Sequence, residues 1–189
     1  MLEQFLQADR WLFILINSGI ANPFLDWVCP YIRTQEIWYP VYALLIFFLI
    51  KQYKKQSWLI IVTAAVMIVC TDQFSANLIK GLFMRTRPCL EPLLEGRVRH
   101  LIESCRGYSF ISAHATNHFA LAVFMSYYFK TFGKWVQPLL LFWAFSIAFS
   151  QVYVGVHYPA DVIVGGLVGW LFGAAFGKYL LKFVTIHRA

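Results

Sequence analysis

The sequence predicts an all-α integral membrane bundle of about five spanning helices, preceded by an N-terminal amphipathic helix lying in the membrane interface. Three observations carry this expectation. First, 60% of the 189 residues are hydrophobic and only 13% are charged, with a mean hydropathy of +0.61. A soluble domain carries about 25% charged residues, so a chain this size with half that charge cannot cover a water-exposed surface. Second, five stretches are long and apolar enough to cross a bilayer. Third, lysines gather at alternate ends of those stretches, the pattern that fixes membrane orientation.

The elements follow in order. Residues 2–18 start as an amphipathic helix, with Leu2, Phe5, Leu6, Leu12, Phe13 and Ile16 at helical spacing and Glu3, Gln4, Gln7 and Arg10 opposite. Such a helix lies on the membrane rather than through it. Asn22-Pro23 and Pro30 are expected to break the chain next. Span one runs from about Glu36 to Tyr53; its uncharged core is short, so tilt or lysine snorkelling must help. Span two runs from Ser57 to about Phe83, span three from Ser112 to Phe129, span four from Trp135 to Val156 and span five from Pro159 to Leu181. The whole chain, 1–189, reads as one membrane-embedded domain: an interfacial helix and connector over 1–35, then a bundle over 36–181 with an outer loop over 84–111.

Orientation comes from Lys and Arg in the short loops. Lys51, Lys54 and Lys55 follow span one, Lys130 and Lys134 follow span three, and Lys178, Lys182 and Arg188 follow span five. With five spans these groups share one side, the cytoplasm, and the 84–111 loop faces outward. Arg85, Arg87, Arg97, Arg99 and Arg106 in that loop violate the rule, which points to another job for them. The net charge of +7 is too scattered for a nucleic-acid patch. Glu3 and Asp9 precede Arg10, so the N-terminus does not read as a secretory signal. Gly165, Gly169, Gly173 and Gly177 form a small-residue stripe on span five, suited to close packing within the protomer or, alternatively, to dimerisation.

The polar residues collect at the outer helix ends. Span two ends in Asp72, Asn77 and Lys80, followed by Arg87; span three begins with Ser112 and His114; span four ends with Ser150 and Gln151; span five begins with His157 and Asp161. Ionisable groups at membrane depth are costly and mark function. His157 and Asp161 are four apart at a helix start, on one face, so the carboxylate can hold one imidazole nitrogen while the other acts as a nucleophile. His114 and Ser112 sit at a helix N-terminus, where backbone N–H groups welcome an anion. Lys80 and Arg87 add positive charge, and Arg binds phosphate in bidentate fashion. Singly each has a structural reading: an ion pair, a snorkelling anchor, an N-cap. Together on one face they describe phosphoryl transfer, with one histidine as nucleophile and one as acid. No histidine pair has metal-ligand spacing, and the carboxylates inside the spans are Asp72 and Asp161, so no metal and no cofactor are expected.

At these residues the chain resembles the type 2 phosphatidic acid phosphatase superfamily of membrane lipid phosphatases. Its first motif, Lys, six residues, Arg-Pro, is met by Lys80 to Arg87-Pro88. Its second, Pro-Ser-Gly-His, appears as Ile111-Ser112-Ala113-His114. Its third, Ser-Arg, five residues, His, three residues, Asp, appears as Ser150-Gln151 to His157 and Asp161. The similarity covers roughly residues 36–180 and looks closest to small bacterial members that dephosphorylate undecaprenyl diphosphate. It implies that His157 attacks phosphorus, Asp161 orients it and His114 protonates the leaving oxygen. Lys80, Arg87, Ser112 and the backbone at Ala113 would hold the phosphate, without a metal, with Gln151 standing where the family has arginine. Arg106, and after it Arg85, are the candidates to replace that cation. The implied partner is a lipid phosphate in a bacterial inner membrane, approached from the periplasmic side; lipid A 1-phosphate, phosphatidylglycerol phosphate, or binding without catalysis are the alternatives. In the outer loop Cys89 and Cys105 are expected to form a disulfide on the oxidising side of the membrane, with Cys29 as the rival partner and Cys70 inside span two.

Overall fold

The computed structural model describes residues 1–103 and 105–184; Arg188 lies outside the described residues. The fold is helical throughout these residues: α1 (Leu2–Ile14), α2 (Pro23–Ile32), α3 (Tyr39–Tyr53), α4 (Ser57–Asp72), α5 (Lys80–Phe83), α6 (Ala113–Phe129), α7 (Val136–Tyr153) and α8 (Pro159–Leu180). A π-helical turn, Gln73–Ile79, joins α4 to α5, and another, Leu15–Gly19, ends α1. Such widened turns are frequent beside functional sites.

The burial pattern is that of a membrane bundle. Leu44, Phe47, Val62, Val66, Val69, Leu139, Phe142, Phe145, Ile163 and Leu167 are exposed, which only a lipid surround satisfies. The core lies between helices: Leu49, Ile60, Met67, Phe124, Tyr128 and Ile147. By length and composition three stretches can cross a membrane, Gln35–Leu94, Val136–Tyr153 and Pro159–Leu180, or four if the pair Leu2–Gly19 and Pro23–Ile32, bent by 114°, is one broken span. The five-helix expectation differs for two reasons. The first stretch folds back on itself: Lys54, at φ 48°, turns the chain, and Tyr42 at the start of α3 shares a cavity with Ile68 and Asp72 at the end of α4. The remaining helix, α6, has 17 residues and carries His114, Thr116, Asn117 and His118; its neighbours, rather than its own hydropathy, shield it.

α8 lies directly against α6, and the glycine stripe is the reason. A Cβ on Gly173 would stand 2.5 Å from the Ala120 carbonyl oxygen, one on Gly165 2.8 Å from that of Ser112, and one on Gly169 would collide with that of Thr116. The stripe therefore serves packing within the protomer, and it brings the starts of α6 and α8 side by side. At the opposite end of the bundle, Gln52 donates to Thr131 at 2.6 Å and the Tyr128 hydroxyl to the Gly177 carbonyl at 3.1 Å. The segments bearing Lys51, Lys130 and Lys178 thus share that end.

The expected break at Pro30 does not occur. α2 starts at Pro23, capped by Asn22, whose side chain accepts from the Leu25 N–H at 3.0 Å, and runs through Pro30 to Ile32. Nor does α1 stand alone. Asp9 and Phe13 are buried, and the Phe13 ring packs edge-on against Tyr158 at 5.6 Å. Asn17, fully buried, donates to the carbonyls of Tyr153 (2.8 Å) and Arg99 (3.1 Å) and accepts from the Arg99 N–H (2.8 Å). It ties the N-terminal segment, the outer loop and the end of α7 together. Arg99 pairs with Asp26 at 2.5 Å, and Tyr153 donates to the same carboxylate at 2.6 Å. A disulfide joins Cys89 to Cys105, with Cα atoms 6.4 Å apart.

Candidate active site

The turn between α7 and α8 presents His157. The Gln151 carbonyl accepts from both the Val156 and His157 N–H groups at 3.2 Å. Gly155 takes φ +94°, and a Cβ there would meet the Arg99 carbonyl at 3.0 Å, so only glycine lets the outer loop close over this turn. His157 is 2% exposed. Its Nδ1 lies 3.4 Å from Asp161 Oδ2, an ion-pair distance, and Nδ1 has no hydrogen-bond partner as it stands. Catalytic hydrogen bonds often tighten only when substrate binds. Burial outweighs the attraction of Asp161 and pushes the imidazole down to about 4, so it is neutral at physiological pH with a lone pair to give.

Asp161, fully buried, is held from three directions. Oδ2 accepts from the Tyr158 N–H at 2.9 Å, capping α8. Oδ1 accepts from Arg85 Nη1 at 2.7 Å, and its own carbonyl accepts from the Ser112 N–H at 3.1 Å. Arg85 in turn pairs with Asp9 at 2.6 Å and stacks 3.9 Å over the Tyr158 ring. Asp9 also accepts from the Ala160 N–H at 2.9 Å. The chain Asp9, Arg85, Asp161, His157 therefore runs from α1 into the site.

On the other side of the imidazole stands Arg87. Its Nη1 is 3.3 Å from His157 Nε2 and donates to the Val156 carbonyl at 2.9 Å, while Nε donates to the Arg106 carbonyl at 2.8 Å. A guanidinium held at two points beside the free ring nitrogen is placed to receive an anion there. Ser112 caps α6 by accepting from the Ala115 N–H at 3.4 Å; its hydroxyl proton is still available, and the N–H groups of Ala113 and His114 precede the first intrahelical bond. Half-buried Lys80 follows the π-helical turn, where Arg87, Asp161 and Asp72 all act on its charge. His114 opens on a cavity of about 270 Å³ whose lining includes Gln35, Tyr42, Asp72, Asn117 and His118. Asn117 donates to Asp72 at 3.2 Å, and His118 bridges the His114 carbonyl (2.8 Å) and the Tyr42 hydroxyl (3.1 Å).

The fold thus gathers His157, Asp161, Arg87, Ser112, Ala113 and Gln151 at one end of α6 and α8, with His114 and Lys80 beside them. The sequence reading of the arginines needs correcting. Arg85 is committed to Asp9 and Asp161, and Arg106 contributes its carbonyl to Arg87. The arginine beside Gln151 is Arg33, which donates from Nε to Gln151 Oε1 at 3.5 Å. Sequence reasoning missed Arg33 and Asp9. A signal existed for Arg33: like the loop arginines, it is a cation outside the lysine groups that the orientation rule uses. Among the described residues no three His, Cys, Asp or Glu side chains are grouped to hold a metal ion.

A buried imidazole between a carboxylate and a guanidinium, at a helix start, is a phosphoryl-transfer arrangement, and comparison with known proteins agrees. The sequence profile of the PAP2 superfamily matches residues 58–184; the chain belongs to this superfamily and is a membrane phosphatase of lipid phosphates. It is 31% identical over 98% of its length, and 80% of the relative's, to the lipid A 4'-phosphatase of Bacteroides thetaiotaomicron. It is 32% identical over 89% of its length, and 77% of the relative's, to the undecaprenyl-diphosphatase of Sulfolobus acidocaldarius. Among solved structures, Aquifex aeolicus LpxE superposes with a TM-score of 0.67 at 26% identity, over 89% of this chain and 93% of that one. The Bacillus subtilis phosphatidylglycerolphosphate phosphatase shares the fold, with a TM-score of 0.72 at 19% identity over 97% and 90% of the two chains.

Proposed function

We propose that the enzyme removes a phosphate from a phosphorylated glycolipid of the lipid A type, through a phosphohistidine at His157. The observation that carries the chemistry is the pairing of His157 with Asp161 on one side and Arg87 on the other. His157 Nε2 attacks phosphorus while the phosphate oxygens take over the Arg87 guanidinium, with Lys80, Ser112 and the N–H groups at the α6 start sharing the charge. The P–O bond to the lipid breaks, and His114 gives its proton to the leaving oxygen. Water then attacks phosphorus, the P–N bond breaks and returns its electron pair to His157 Nε2, His114 takes the water's proton, and inorganic phosphate leaves. Asp161 holds the Nδ1 proton throughout. Every group in this scheme comes from the chain itself.

The cavity at His114 supports a sugar as the leaving group. Asp72, Asn117 and Gln35 line it and offer acceptors and donors for hydroxyls, whereas a second phosphate there would face the Asp72 carboxylate. The relatives at 31% and 32% identity over nearly the whole chain carry the name lipid A 4'-phosphatase, so lipid A, at its 4'-phosphate and not its 1-phosphate, replaces undecaprenyl diphosphate as the favoured substrate. Undecaprenyl diphosphate is the second reading, favoured by the Sulfolobus relative. The lysine-bearing end of the bundle faces the cytoplasm and the site faces the periplasm of an inner membrane. Exposed Leu2, Phe5 and Trp11 set α1 at the outer interface. The domain is then one unit, with 1–35 completing the bundle of 36–181.

The test is phosphate release by purified protein from bis-phosphorylated lipid A, undecaprenyl diphosphate, phosphatidylglycerol phosphate and phosphatidic acid, with and without excess chelator. The expected result is 4'-dephosphorylated lipid A, identified by mass spectrometry, at a kcat/KM at least about tenfold above the others, unchanged by chelation. A preference for undecaprenyl diphosphate selects the second reading. Loss of activity in chelator, restored by a divalent metal, overturns the metal-free scheme. No release from any lipid leaves a binder.

A further inference from the structure

Position 151 holds glutamine where the resemblance calls for arginine, yet the local charge is not lost. Arg33 follows the last residue of α2, 118 positions away in sequence, and its Nε donates to Gln151 Oε1 at 3.5 Å. An arginine can only donate, so this contact fixes the amide: oxygen toward Arg33, Nε2 away from it. Gln151 is 1% exposed and its Nε2 has no hydrogen-bond partner. A buried donor without an acceptor is destabilising, which is tolerated where a ligand supplies the acceptor. The Nη atoms of Arg33 engage no side chain or carbonyl among the described residues, and its charge acts on both Arg87 and His114. Arg33 therefore stands with the phosphate-site residues while its fork stays open.

We propose that Arg33 is the second guanidinium of the phosphate cradle, carried by the end of α2 instead of by α7. Gln151 acts as its positioning residue and, through Nε2, as a neutral donor to the same phosphate. The cradle thus keeps the charge of a two-arginine site while dividing the work of one residue between two. Neither Arg85 nor Arg106 is needed for it. The N-terminal segment then becomes part of the active site, since α1 contributes Asp9 behind Asp161 and α2 contributes Arg33 in front of it.

This inference rests on the phosphatase reading, and the experiment separates the two. Arg33→Ala, Arg33→Lys, Gln151→Arg and the double variant Arg33→Ala/Gln151→Arg are purified in detergent, with monodispersity as the check on folding. Lipid phosphatase kinetics are measured alongside equilibrium binding of orthovanadate, a phosphate analogue whose binding does not need turnover. Arg33→Ala is expected to lose at least about tenfold in kcat/KM and a similar factor in vanadate affinity, with Arg33→Lys in between. Moving the guanidinium to position 151 in the double variant should recover most of both losses. An Arg33→Ala protein within threefold of wild type in both measures overturns the proposal, as does a double variant with no recovery. If wild type hydrolyses no lipid phosphate but Arg33→Ala still weakens vanadate binding, the cradle stands and the phosphatase reading falls.

Discussion

The two ends of the bundle carry charge in opposite ways. At the inner end Lys51, Lys54, Lys55, Lys130, Lys134, Lys178 and Lys182 are all exposed, and none forms an ion pair among the described residues. Two of them lie over aromatic rings at the membrane edge, Lys134 on Trp135 at 5.6 Å and Lys182 on Tyr179 at 5.7 Å. At the end that holds His157, Glu95, Arg97, Glu103 and Arg106 are exposed, but Arg85, Asp9 and Asp161 turn inward. Arg85 is 19% exposed, Asp9 4% and Asp161 not at all, counted on their side chains, and the arginine bridges both carboxylates. The lysines at the end away from His157 need only water. The three inward charges are desolvated, which is costly unless each is paired and oriented, and their pairing holds Asp161 beside His157. Charge enters the interior of this membrane protein in pairs, beside His157.

That contrast can be broken most severely at Arg85. Removing one member of a buried ion network typically costs about 3–5 kcal/mol, because its partners stay buried and uncompensated. Arg85→Ala is therefore expected to lower thermal stability by several degrees in detergent. Phosphatase activity should fall by more than unfolding explains, since Asp161 loses its anchor. Retained activity and melting temperature would mean that the Asp9–Arg85–Asp161 chain is incidental. The disulfide sharpens the contrast at an intermediate scale. Closing a loop of about 16 residues stabilises by roughly 3 kcal/mol in the chain-entropy model, so Cys89→Ser/Cys105→Ser should unfold at lower temperature, with a smaller effect on kcat than Arg85→Ala. Mass mapping without reductant that finds both thiols free would contradict the bridge. The smallest effect belongs to the inner end. Lys54→Ala should change stability by less than about 0.5 kcal/mol, as exposed positions do, and leave turnover unaltered. A strong loss of activity would show that the two ends are coupled.

Much of the bundle was legible because the membrane imposes a simple rule on sequence. α6, α7 and α8 begin and end within a few residues of their expected bounds, and span two, expected over Ser57 to about Phe83, is made of α4, a π-helical turn and α5; apolar runs and polar helix ends mark them. His157, Asp161, Ser112 and Arg87 could be singled out because each lies at such an end and at characteristic spacing, and the structure gathers them at one end of α6 and α8. The remainder was hidden in long-range contacts. Asp9 reads as one more polar residue on an amphipathic helix; only the docking of α1 on the start of α8 reveals it as the partner of Arg85. Arg33 meets Gln151 across 118 positions, and no local period encodes that meeting. Pro30 misled because proline is a helix breaker in general; here it is the eighth residue of α2, and the helix runs only two residues beyond it, to Ile32. The two π-helical turns likewise carry no compositional mark.

The central claim, that His157 carries the phosphoryl group, is tested most directly by trapping it. Wild-type enzyme mixed with substrate radiolabelled at phosphorus and quenched within milliseconds should hold an acid-labile, base-stable label on the peptide containing His157. His157→Ala should hold no label and lose about 10⁴-fold or more in turnover, the scale on which removing a nucleophile acts. A His157→Ala enzyme within tenfold of wild type, or a wild-type label on any other residue, would contradict the account.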